Sequence, residues 1–570
     1  MPVRVKIIRF AVAALFACIA LNLFYVQVIR GPYYYSLSKN NRIRIVPIEA
    51  TRGRILDRNG TVLADSKLTF NVLVVPQEIK DEEKLFAYLG DVLEKSPKDL
   101  LERFKHNKFT PFAPVIIASD LRRDAVMALE ENKFRFPGLL IQAGSERWYP
   151  FREISAHVLG YVGKINRAKM ERLKEYGYTA QSIIGYSGVE EFYDQKLKGQ
   201  EGGLQIEVNS RGQQVRLLSF KEPSRGQDIT LTIDNRIQKI AYEVLQDRVG
   251  TIIVMDMDNG EILGLTNSPS FDPNFFSDAE LRSKTTRLFS DSRAPLLNRA
   301  IGGQYPPGSV FKVALAYAAL TTASTTPNTT FNCPGYYQVG QRRFGCTHLH
   351  GPENLREAIT HSCNVYFYHL GLIVGADTIH KFARLLGLGE VTGIDLPYEE
   401  SGFVPSSLHR RSAQNKMWYK GDTLNLAIGQ GELLTTPLQL VQMMARIGSN
   451  GKVVQPHLLQ SSDSPVPAVV RKIPYAEKVF TPIQDGLSGV VKDFSGTAHI
   501  LDIPGIPVAG KTGTAQSSGG RPEHSWFVGY TTIGQRSLVF CVFLEFGGSS
   551  YNAAFLARNL LVRINAEVFK

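Results

Sequence analysis

The chain has 570 residues, of which 44% are hydrophobic and 21% are charged. This length exceeds that of a single compact domain. The proportion of hydrophobic to charged residues excludes a disordered chain, a coiled coil and a polytopic membrane protein. The net charge of +12 would suit an anionic partner, but no run of lysine and arginine interleaved with aromatic residues supports nucleic-acid binding. We therefore expect several globular domains and no nucleic-acid partner.

The N-terminal segment predicts a membrane anchor. Arg4, Lys6 and Arg9 precede residues 10–29, which carry no charge and, as a helix, would span about 30 Å, the thickness of a bilayer core. A cleaved signal peptide is the alternative, but its apolar region would be shorter and no small-x-small cleavage site follows. By the positive-inside rule, the N-terminus stays in the cytoplasm and everything after residue 30 lies outside.

Beyond the anchor, the pattern changes near Gly226. Residues 31–225 are mixed α and β, with charged helical stretches such as residues 81–104. Residues 228–234 then alternate like a strand and lead into residues 236–248, which have helical spacing. We predict three parts: an anchor over residues 1–30, one domain over residues 31–225 and a second domain over residues 226–570.

The pattern of the second domain predicts an α+β fold. Residues 251–257 and 261–266 flank Asp258-Asn-Gly260 and indicate two strands joined by a tight turn. Three more strands and a closing helix are expected near the C-terminus, at residues 506–515, 525–532, 537–546 and 552–569. The residues between, 275–500, are mostly helix and loop. An antiparallel sheet built from both ends of a domain, with helices inserted in the middle, is an α+β architecture.

Ser309-Val-Phe-Lys312 is the first candidate for catalysis. Two prolines and a glycine precede it, so a helix is expected to start at Ser309. The helix N-terminus would favour a developing oxyanion, and the i, i+3 spacing places Lys312 on the same face as the hydroxyl. A lysine can take the proton of a serine only if burial or a second cation lowers its pKa from about 10.4.

Two further motifs complete a set. Lys511-Thr-Gly-Thr514 sits at the edge of the predicted strand at residues 506–515 and would supply the second cation. Ser362-Cys-Asn364 lies between the other two motifs, in a helical context over residues 355–370. The order Ser-x-x-Lys, Ser-x-Asn, Lys-Thr-Gly is shared by penicillin-binding proteins and serine β-lactamases.

Over essentially its whole length, the chain resembles a class B penicillin-binding protein. Segments that match the motifs of the family's non-catalytic pedestal lie at residues 52–60, 147–150, 156–161 and 185–193. Segments that match within the transpeptidase domain lie at residues 428–431, 436–440 and 524–530. Residues 333–338 and 418–422 resemble the elongation type, penicillin-binding protein 2, rather than the division type. The resemblance implies an anchor, a pedestal and a transpeptidase domain.

The resemblance also implies the chemistry. Ser309 would attack the penultimate D-Ala carbonyl of a donor stem peptide of peptidoglycan, release the terminal D-Ala and pass the acyl group to an amine on a second stem. Lys312 would be the general base, and Ser362 would relay a proton. Asn364 would hydrogen-bond the donor's amide backbone. β-Lactams would acylate the same serine, and catalysis would need no cofactor.

The remaining motif would bind and polarise the donor. By the same resemblance, Lys511 would tune the site electrostatically, while Thr512, Gly513 and Thr514 would form the strand edge that binds substrate. The two threonines would bind the terminal carboxylate. Backbone N–H groups of Ser309 and Thr514 would form the oxyanion hole.

The resemblance extends to partners and location. It implies a SEDS-family glycosyltransferase and an MreC-like scaffold as partners, with the anchor in the inner membrane and the catalytic domain in the periplasm. A D,D-carboxypeptidase or β-lactamase on the same fold normally carries no such pedestal. A β-lactam-sensing receptor carries additional transmembrane segments and a cytoplasmic portion. A scaffold with a vestigial site would not need the complete motif set.

A cysteine cluster begins after Ser309-Val-Phe-Lys312 and ends inside the Ser-x-Asn motif, at Cys363. Cys333, Cys346 and Cys363 fall within 31 residues, with His350 just after Cys346. Three thiols and one imidazole suit a closed tetrahedral zinc site, so these four residues are candidate ligands for structural Zn(II). A Cys333–Cys346 disulfide and free thiols are the alternatives. Relatives of the elongation type hold a metal at matching positions with a different ligand mix, and His350 precedes Gly351 as that pattern requires.

Overall fold

The computed structural model describes most of the chain, in two compact units of interleaved segments. The described residues are 3–34, 43–48, 50–108, 114–173, 178, 182–208, 214–277, 282–460, 471–473, 476–517 and 519–569. The first unit comprises Met1–Arg52, Lys67–Glu146 and Lys198–Gln227, and the second comprises Gly53–Ser66, Arg147–Leu197 and Asp228–Lys570. The predicted domain limits at residues 30 and 225 stay predictions.

The N-terminal segment is one long apolar helix. It runs as an α-helix over Val3–Phe24 and continues as a π-helical turn over Tyr25–Ile29. None of its α-helical residues is buried against protein. At 27 residues it is the one helix in the described part of the chain that is long and apolar enough to cross a membrane. It fits a single-pass membrane anchor.

The first unit has its own apolar core. The predicted helical stretch at residues 81–104 is two helices, Glu82–Leu93 and Pro97–Asn107. The break occurs because Glu94 adopts a left-handed conformation and Pro97 starts the second helix. Leu85, Phe86, Leu89, Leu100 and Phe104 of these helices are buried together. Besides the N-terminal helix, the other elements with residues in this unit are Ile43–Ile48, Val62–Val74, Pro76–Glu78, Val115–Ala118, Arg123–Asn132, Lys133–Arg135, Leu139–Trp148, Gly202–Val208 and Gln214–Lys221.

The second unit is built on a five-stranded antiparallel sheet, as predicted. The strand order is Ile262–Ser268, Gly250–Asp256, Arg536–Leu544, His524–Ile533, Val508–Ala515. The first two strands are joined by the predicted turn, in which Gly260 has a φ of +85°. Strands from both ends of the unit are therefore adjacent, and the Val508–Ala515 strand forms one edge.

Helices cover this sheet, and every residue of its Gly250–Asp256 and Ile262–Ser268 strands is buried. The Asn235–Leu245 and Ser550–Glu567 helices contact each other and the sheet, as do the Pro437–Gly448 and Ala476–Lys492 helices. Burial on both faces explains why these strands read as nearly continuous apolar stretches.

Two predicted elements of the second unit were wrong in extent. Residues 228–234 form a strand only over Ile229–Thr230, which pairs in parallel with Ile55–Leu56. The helical stretch at residues 355–370 is two helices, Leu355–Thr360 and Asn364–Val374. The region predicted as helix and loop also contains short strands, at Phe331–Cys333, Tyr336–Val339, Arg342–Gly345, Gly351–Glu353, Lys452–Val453 and Arg471–Lys472.

The remaining helices and strands of the second unit are short. The helices are Arg152–Ser155, Ala156–Leu159, Arg167–Leu173, Gly188–Phe192, Asp194–Leu197, Asn274–Ser277, Arg282–Ser290, Gly308–Phe311, Lys312–Thr321, Ala376–Leu385, Ser407–Gln414, Lys420–Ala427 and His499–Leu501, and the strands are Val162–Lys164 and Ile183–Gly185. Among them, Lys312–Thr321 is almost entirely buried.

A buried ion pair joins the N-terminal motif segments within the second unit. Arg147 donates from Nε to Glu190 Oε1 at 2.6 Å and from Nη1 to the carbonyl of Gly53 at 2.7 Å. Asp57 accepts from the backbone N–H of Asn235 at 3.1 Å, next to the start of the Asn235–Leu245 helix. These polar motif residues therefore have a structural role, because they hold separate segments of one unit together.

Candidate active site

Ser309 lies in a tight turn against the edge strand. A 3-10 turn over Gly308–Phe311 precedes the α-helix that starts at Lys312, so Ser309 is in the first turn, half-buried and reachable from solvent. Gly308 has a φ of +55°, and a Cβ there would lie 2.5 Å from the carbonyl oxygen of Thr514. Only glycine permits this approach, which brings the Ser309 turn against the Val508–Ala515 strand.

Lys312 connects the first two motifs. Its side chain is fully buried, and Nζ donates to the carbonyl of Ser362 at 2.7 Å, to Ser362 Oγ at 3.2 Å and to Asn364 Oδ1 at 2.7 Å. Burial lowers the pKa of Lys312 to about 8, although the nearby thiols of Cys346 and Cys363 oppose this shift. An amine with this pKa is partly neutral near physiological pH and can accept a proton.

The Ser-x-Asn motif occupies the break between two helices. Ser362 has a φ of +59°, which ends the Leu355–Thr360 helix, and the Cys363 sulfur caps the next helix by accepting from Tyr366 N–H. The Asn364 amide is held at both ends, because its Oδ1 accepts from Lys312 Nζ at 2.7 Å and its Nδ2 donates to the carbonyl of Gly345 at 3.2 Å. The break aims the Ser362 hydroxyl at Lys312.

Lys511 is a second buried lysine in the site. Burial lowers the pKa of Lys511 well below its ordinary value, and the positive charge of Lys312 lowers it further. Its Nζ donates to the carbonyl of Thr512 at 3.3 Å. The Lys511 amine is therefore close enough to Lys312 to interact with its charge inside the protein.

The rest of the Lys-Thr-Gly motif packs on the Ser309 turn. A Cβ on Gly513 would lie 2.8 Å from Val310 Cγ2, so glycine is required for this contact. Thr514 is half-buried, and its carbonyl accepts from Gln430 Nε2 at 3.5 Å. Thr512 is 3% exposed, and its hydroxyl is 2.7 Å from that of Thr497. The sequence motifs missed Thr497, which lies 15 positions before Thr512.

A hydrogen-bonded chain beside the site was also missed. Glu353 Oε1 is 2.5 Å from His361 Nδ1, and His361 Nε2 is 2.9 Å from Ser495 Oγ. Ser495 and Thr497 belong to the same short segment. His361 directly precedes Ser362, but its partners lie 8 and 134 positions away, so no local pattern indicated this chain.

The four predicted metal ligands lie together. The ligand atoms of Cys333, Cys346, His350 and Cys363 are all within 4.8 Å of one another, and His350 Nδ1 is 3.6 Å from the sulfurs of Cys333 and Cys346. The structure describes all five cysteines, and none is in a disulfide. Three sulfurs and one imidazole nitrogen form a donor set that fits Zn(II).

The cluster is joined to the Ser-x-Asn motif through hydrogen bonds to sulfur. The backbone N–H of Asn364 donates to Cys346 Sγ at 3.1 Å. A hydrogen bond from Cys363 and donation from backbone N–H groups lower the pKa of the Cys346 thiol, which therefore has thiolate character. Thiolates are the form of cysteine that binds metals.

Comparison with known families gives two matches. Residues 250–562 match the family described as the penicillin binding protein transpeptidase domain, and residues 47–231 match the penicillin-binding protein dimerisation domain. The peptidoglycan D,D-transpeptidase MrdA of Haemophilus influenzae is 32% identical, over 95% of this chain and 88% of that protein. The protein of the same name from Escherichia coli K12 is 31% identical, over 95% of this chain and 91% of that protein.

Solved structures agree. A complex between penicillin-binding protein 2 and MreC from Helicobacter pylori has a TM-score of 0.82 at 29% identity, covering 93% of this chain and 100% of that one. A peptidoglycan synthase complex that coordinates polymerisation and crosslinking contains a chain with a TM-score of 0.74 and 32% identity, covering 99% of each chain. The fold and these matches define the class of penicillin-binding transpeptidases. The chain belongs to the class B penicillin-binding proteins, and within them to the elongation type, penicillin-binding protein 2.

Proposed function

We propose that the chain cross-links peptidoglycan stem peptides as a serine D,D-transpeptidase through an acyl-enzyme on Ser309. The observation that carries this proposal is the position of Lys312, whose buried amine contacts Ser362 and Asn364 one helical turn after Ser309. The class of relatives, which are named peptidoglycan D,D-transpeptidases, supports the same activity.

In acylation, Ser309 Oγ attacks the penultimate D-Ala carbonyl while neutral Lys312 takes the hydroxyl proton. The proton passes through the Ser362 hydroxyl, 3.2 Å from Nζ, to the leaving amine, and the terminal D-Ala departs. The acceptor amine then attacks the ester, its proton returns by the same route, and Ser309 Oγ is restored. Asn364 aligns the donor backbone, and the N–H groups of Ser309 and Thr514 stabilise the oxyanion.

The Lys511 motif binds the end of the donor. Lys511 tunes the electrostatic potential of the site, Gly513 lets the strand pack against the Ser309 turn, and the hydroxyls of Thr512 and Thr514 bind the terminal carboxylate. β-Lactams occupy the same subsites and acylate Ser309.

A donor peptide ending in D-Ala-D-Ala tests the activity when incubated with the full chain and an amine acceptor. We expect release of free D-Ala together with a donor–acceptor product, both absent in Ser309→Ala and retained in the exposed control Ser412→Ala. Release of D-Ala without the cross-linked product would instead identify a D,D-carboxypeptidase.

Cys333, Cys346, His350 and Cys363 are proposed to hold a structural Zn(II). The bound ion would hold these four side chains in place and would take no part in catalysis. Metal analysis should find about one equivalent per chain, lost in Cys346→Ser and retained in Cys18→Ser. Less than a tenth of an equivalent in the wild-type protein would disprove the site. Titration with a thiol reagent after unfolding then separates a disulfide from free thiols.

The apolar N-terminal helix is proposed to anchor the protein in the inner membrane with the catalytic domain in the periplasm. A SEDS-family glycosyltransferase and an MreC-like scaffold are the proposed partners, in keeping with the complexes solved for similar chains. Protease added to the periplasmic side should degrade all but the N-terminal segment. Cells in which Ser309→Ala replaces the wild-type protein should lose their elongated shape.

A further inference from the structure

A cavity of about 200 Å³ lies in the second unit and shares no residue with the site described above. It is open to solvent on one side and is bordered by the loop that follows the Ala376–Leu385 helix, by the Pro437–Gly448 helix and by the short Lys452–Val453 and Arg471–Lys472 strands. The polar side chains that line it are Glu390, Thr392, Gln442, Arg446, Gln455 and Arg471.

Arg446 is the most buried charged residue among them and is only 5% exposed. Its Nη1 donates to the carbonyl of Leu385 at 2.9 Å, at the C-terminal end of the Ala376–Leu385 helix. Its Nε is buried and has no hydrogen-bond partner within the described residues. Gly387 has a φ of +93°, and a Cβ there would lie 2.8 Å from Nη1, so glycine lets the backbone lie directly against the guanidinium.

Positive charge around this cavity is not balanced. The partial charge at a helix C-terminus, equivalent to about half an elementary charge, offsets only part of the Arg446 charge. Glu390 is the one carboxylate among the described lining residues, and it pairs with Arg384 at 2.5 Å. Burial and the charge of Arg471 lower the pKa of Arg446 to about 10, while the Glu390 carboxylate opposes this shift, so Arg446 stays ionised near neutral pH.

A buried guanidinium that lines a cavity beside a second guanidinium favours an anionic partner. We propose that this cavity is a binding site for a small oxyanion, a phosphate or carboxylate group, held between Arg446 and Arg471. Gln442, which is 5% exposed and lines the same space, adds a neutral hydrogen-bonding group.

Thermal unfolding of the detergent-solubilised full chain tests this site. Inorganic phosphate and, in a separate arm, acetate are titrated at constant ionic strength with sodium chloride as the balance. A ligand that binds only the folded state raises the melting temperature with a saturable dependence on concentration. We expect this response to at least one anion, and the preferred anion distinguishes a phosphate from a carboxylate ligand.

Substitutions of the two cavity arginines show whether the anion binds in this cavity. Arg471→Gln should weaken the apparent affinity by about tenfold or more, because it removes a charge-assisted contact. Arg446→Met should abolish the response, and a cooperative unfolding transition shows whether this variant folds. Lys472→Gln is the matched control, since it removes an equal charge one position along the same exposed strand and should bind as the wild type does.

A response that is equal in wild type and Arg471→Gln would overturn the proposal. The absence of any saturable response to phosphate and acetate would also overturn it. Neither result depends on Arg446→Met, so both hold even if that variant does not fold.

Discussion

At the residue scale, the protonation state of Lys312 sets the expected pH dependence. Burial lowers the pKa of Lys312 to about 8, and only the neutral amine can accept the Ser309 proton. Acylation by a penicillin should therefore accelerate about tenfold per pH unit below about pH 8 and level off above it. Stopped-flow acylation from about pH 6 to about pH 9 measures this profile.

The Lys312→Arg variant distinguishes the titration of Lys312 from the titration of other groups. Lys312→Arg keeps a positive charge that does not titrate in this range, so it should acylate very slowly and without the rise toward pH 8. A wild-type rate that is independent of pH would contradict the assignment of Lys312 as the base.

Residues in the site differed in how readily the sequence predicted them. Ser309, Lys312 and Lys511 were recognisable because their motifs are local and because a helix start and a strand edge place them. The four metal-ligand candidates were recognisable because three cysteines and a histidine fall close together. Thr497 and the His361–Ser495 contact were missed, since long-range packing alone brings these side chains to the site.

At the element scale, glycines let three backbone segments approach closely: the turn at Ser309, the segment at Gly429 and the Val508–Ala515 strand. A Cβ on Gly429 would lie 2.0 Å from the carbonyl oxygen of Gly308, and Gly429 accepts from the Gly308 N–H at 3.0 Å. Gly429→Ala must therefore displace the Ser309 turn, and we expect penicillin acylation to slow by at least about tenfold, which corresponds to roughly 1.4 kcal/mol. The rate of adduct formation measures the effect.

Gly534→Ala is the matched control. Gly534 also has a positive φ, but a Cβ there meets nothing within 4 Å. It should therefore lower stability by roughly 1–2 kcal/mol without slowing acylation. Equal rates for the Gly429 and Gly534 variants would refute the argument from close packing.

The cysteine cluster ties short elements to the Ser-x-Asn motif. Cys333 ends the Phe331–Cys333 strand, and Cys363 caps the Asn364–Val374 helix. Removing the proposed metal with a chelator should lower the melting temperature by several degrees and slow penicillin acylation, because the Ser362 turn loses its tether. Restoring zinc should reverse both changes. Unchanged melting and acylation after confirmed metal removal would contradict the tether.

Local sequence patterns predicted the sheet but did not predict the two helix breaks. The sheet was predictable because long apolar strands end in clear turns and occur at both ends of the domain. The break at Ser362 was not, since the apolar spacing of a helix continues through residues 355–370 and only the left-handed Ser362 interrupts it. The helices at residues 81–104 were merged for the same reason, although Pro97 was a signal for the break.

At the scale of the whole molecule, the anchor and the chemistry should be separable. The N-terminal helix buries none of its residues in protein, so removing residues 1–30 should leave the rest of the chain folded. We expect this variant to move from the membrane fraction to the soluble fraction and to react with penicillin at the wild-type rate. Fractionation and acylation kinetics measure the two properties. Retention in the membrane, or loss of acylation, would contradict this division of roles.

Each of the two compact units is built from several separate segments of the chain, and this arrangement could not be predicted from the sequence. Gly53–Ser66 and Arg147–Leu197 belong to the same unit as the transpeptidase sheet, although they are distant from it in the chain. Contacts such as Arg147 with Glu190 depend on tertiary packing, and composition changes along the chain carry no record of them.

The most direct test of the central claim is to find the acylated residue. The full chain is incubated with a fluorescent penicillin, digested and mapped by mass spectrometry, with Ser309→Ala alongside. We predict a single covalent adduct on Ser309 that is absent from the alanine variant. An adduct on another residue, or no adduct on the folded wild-type protein, would contradict the acyl-enzyme account.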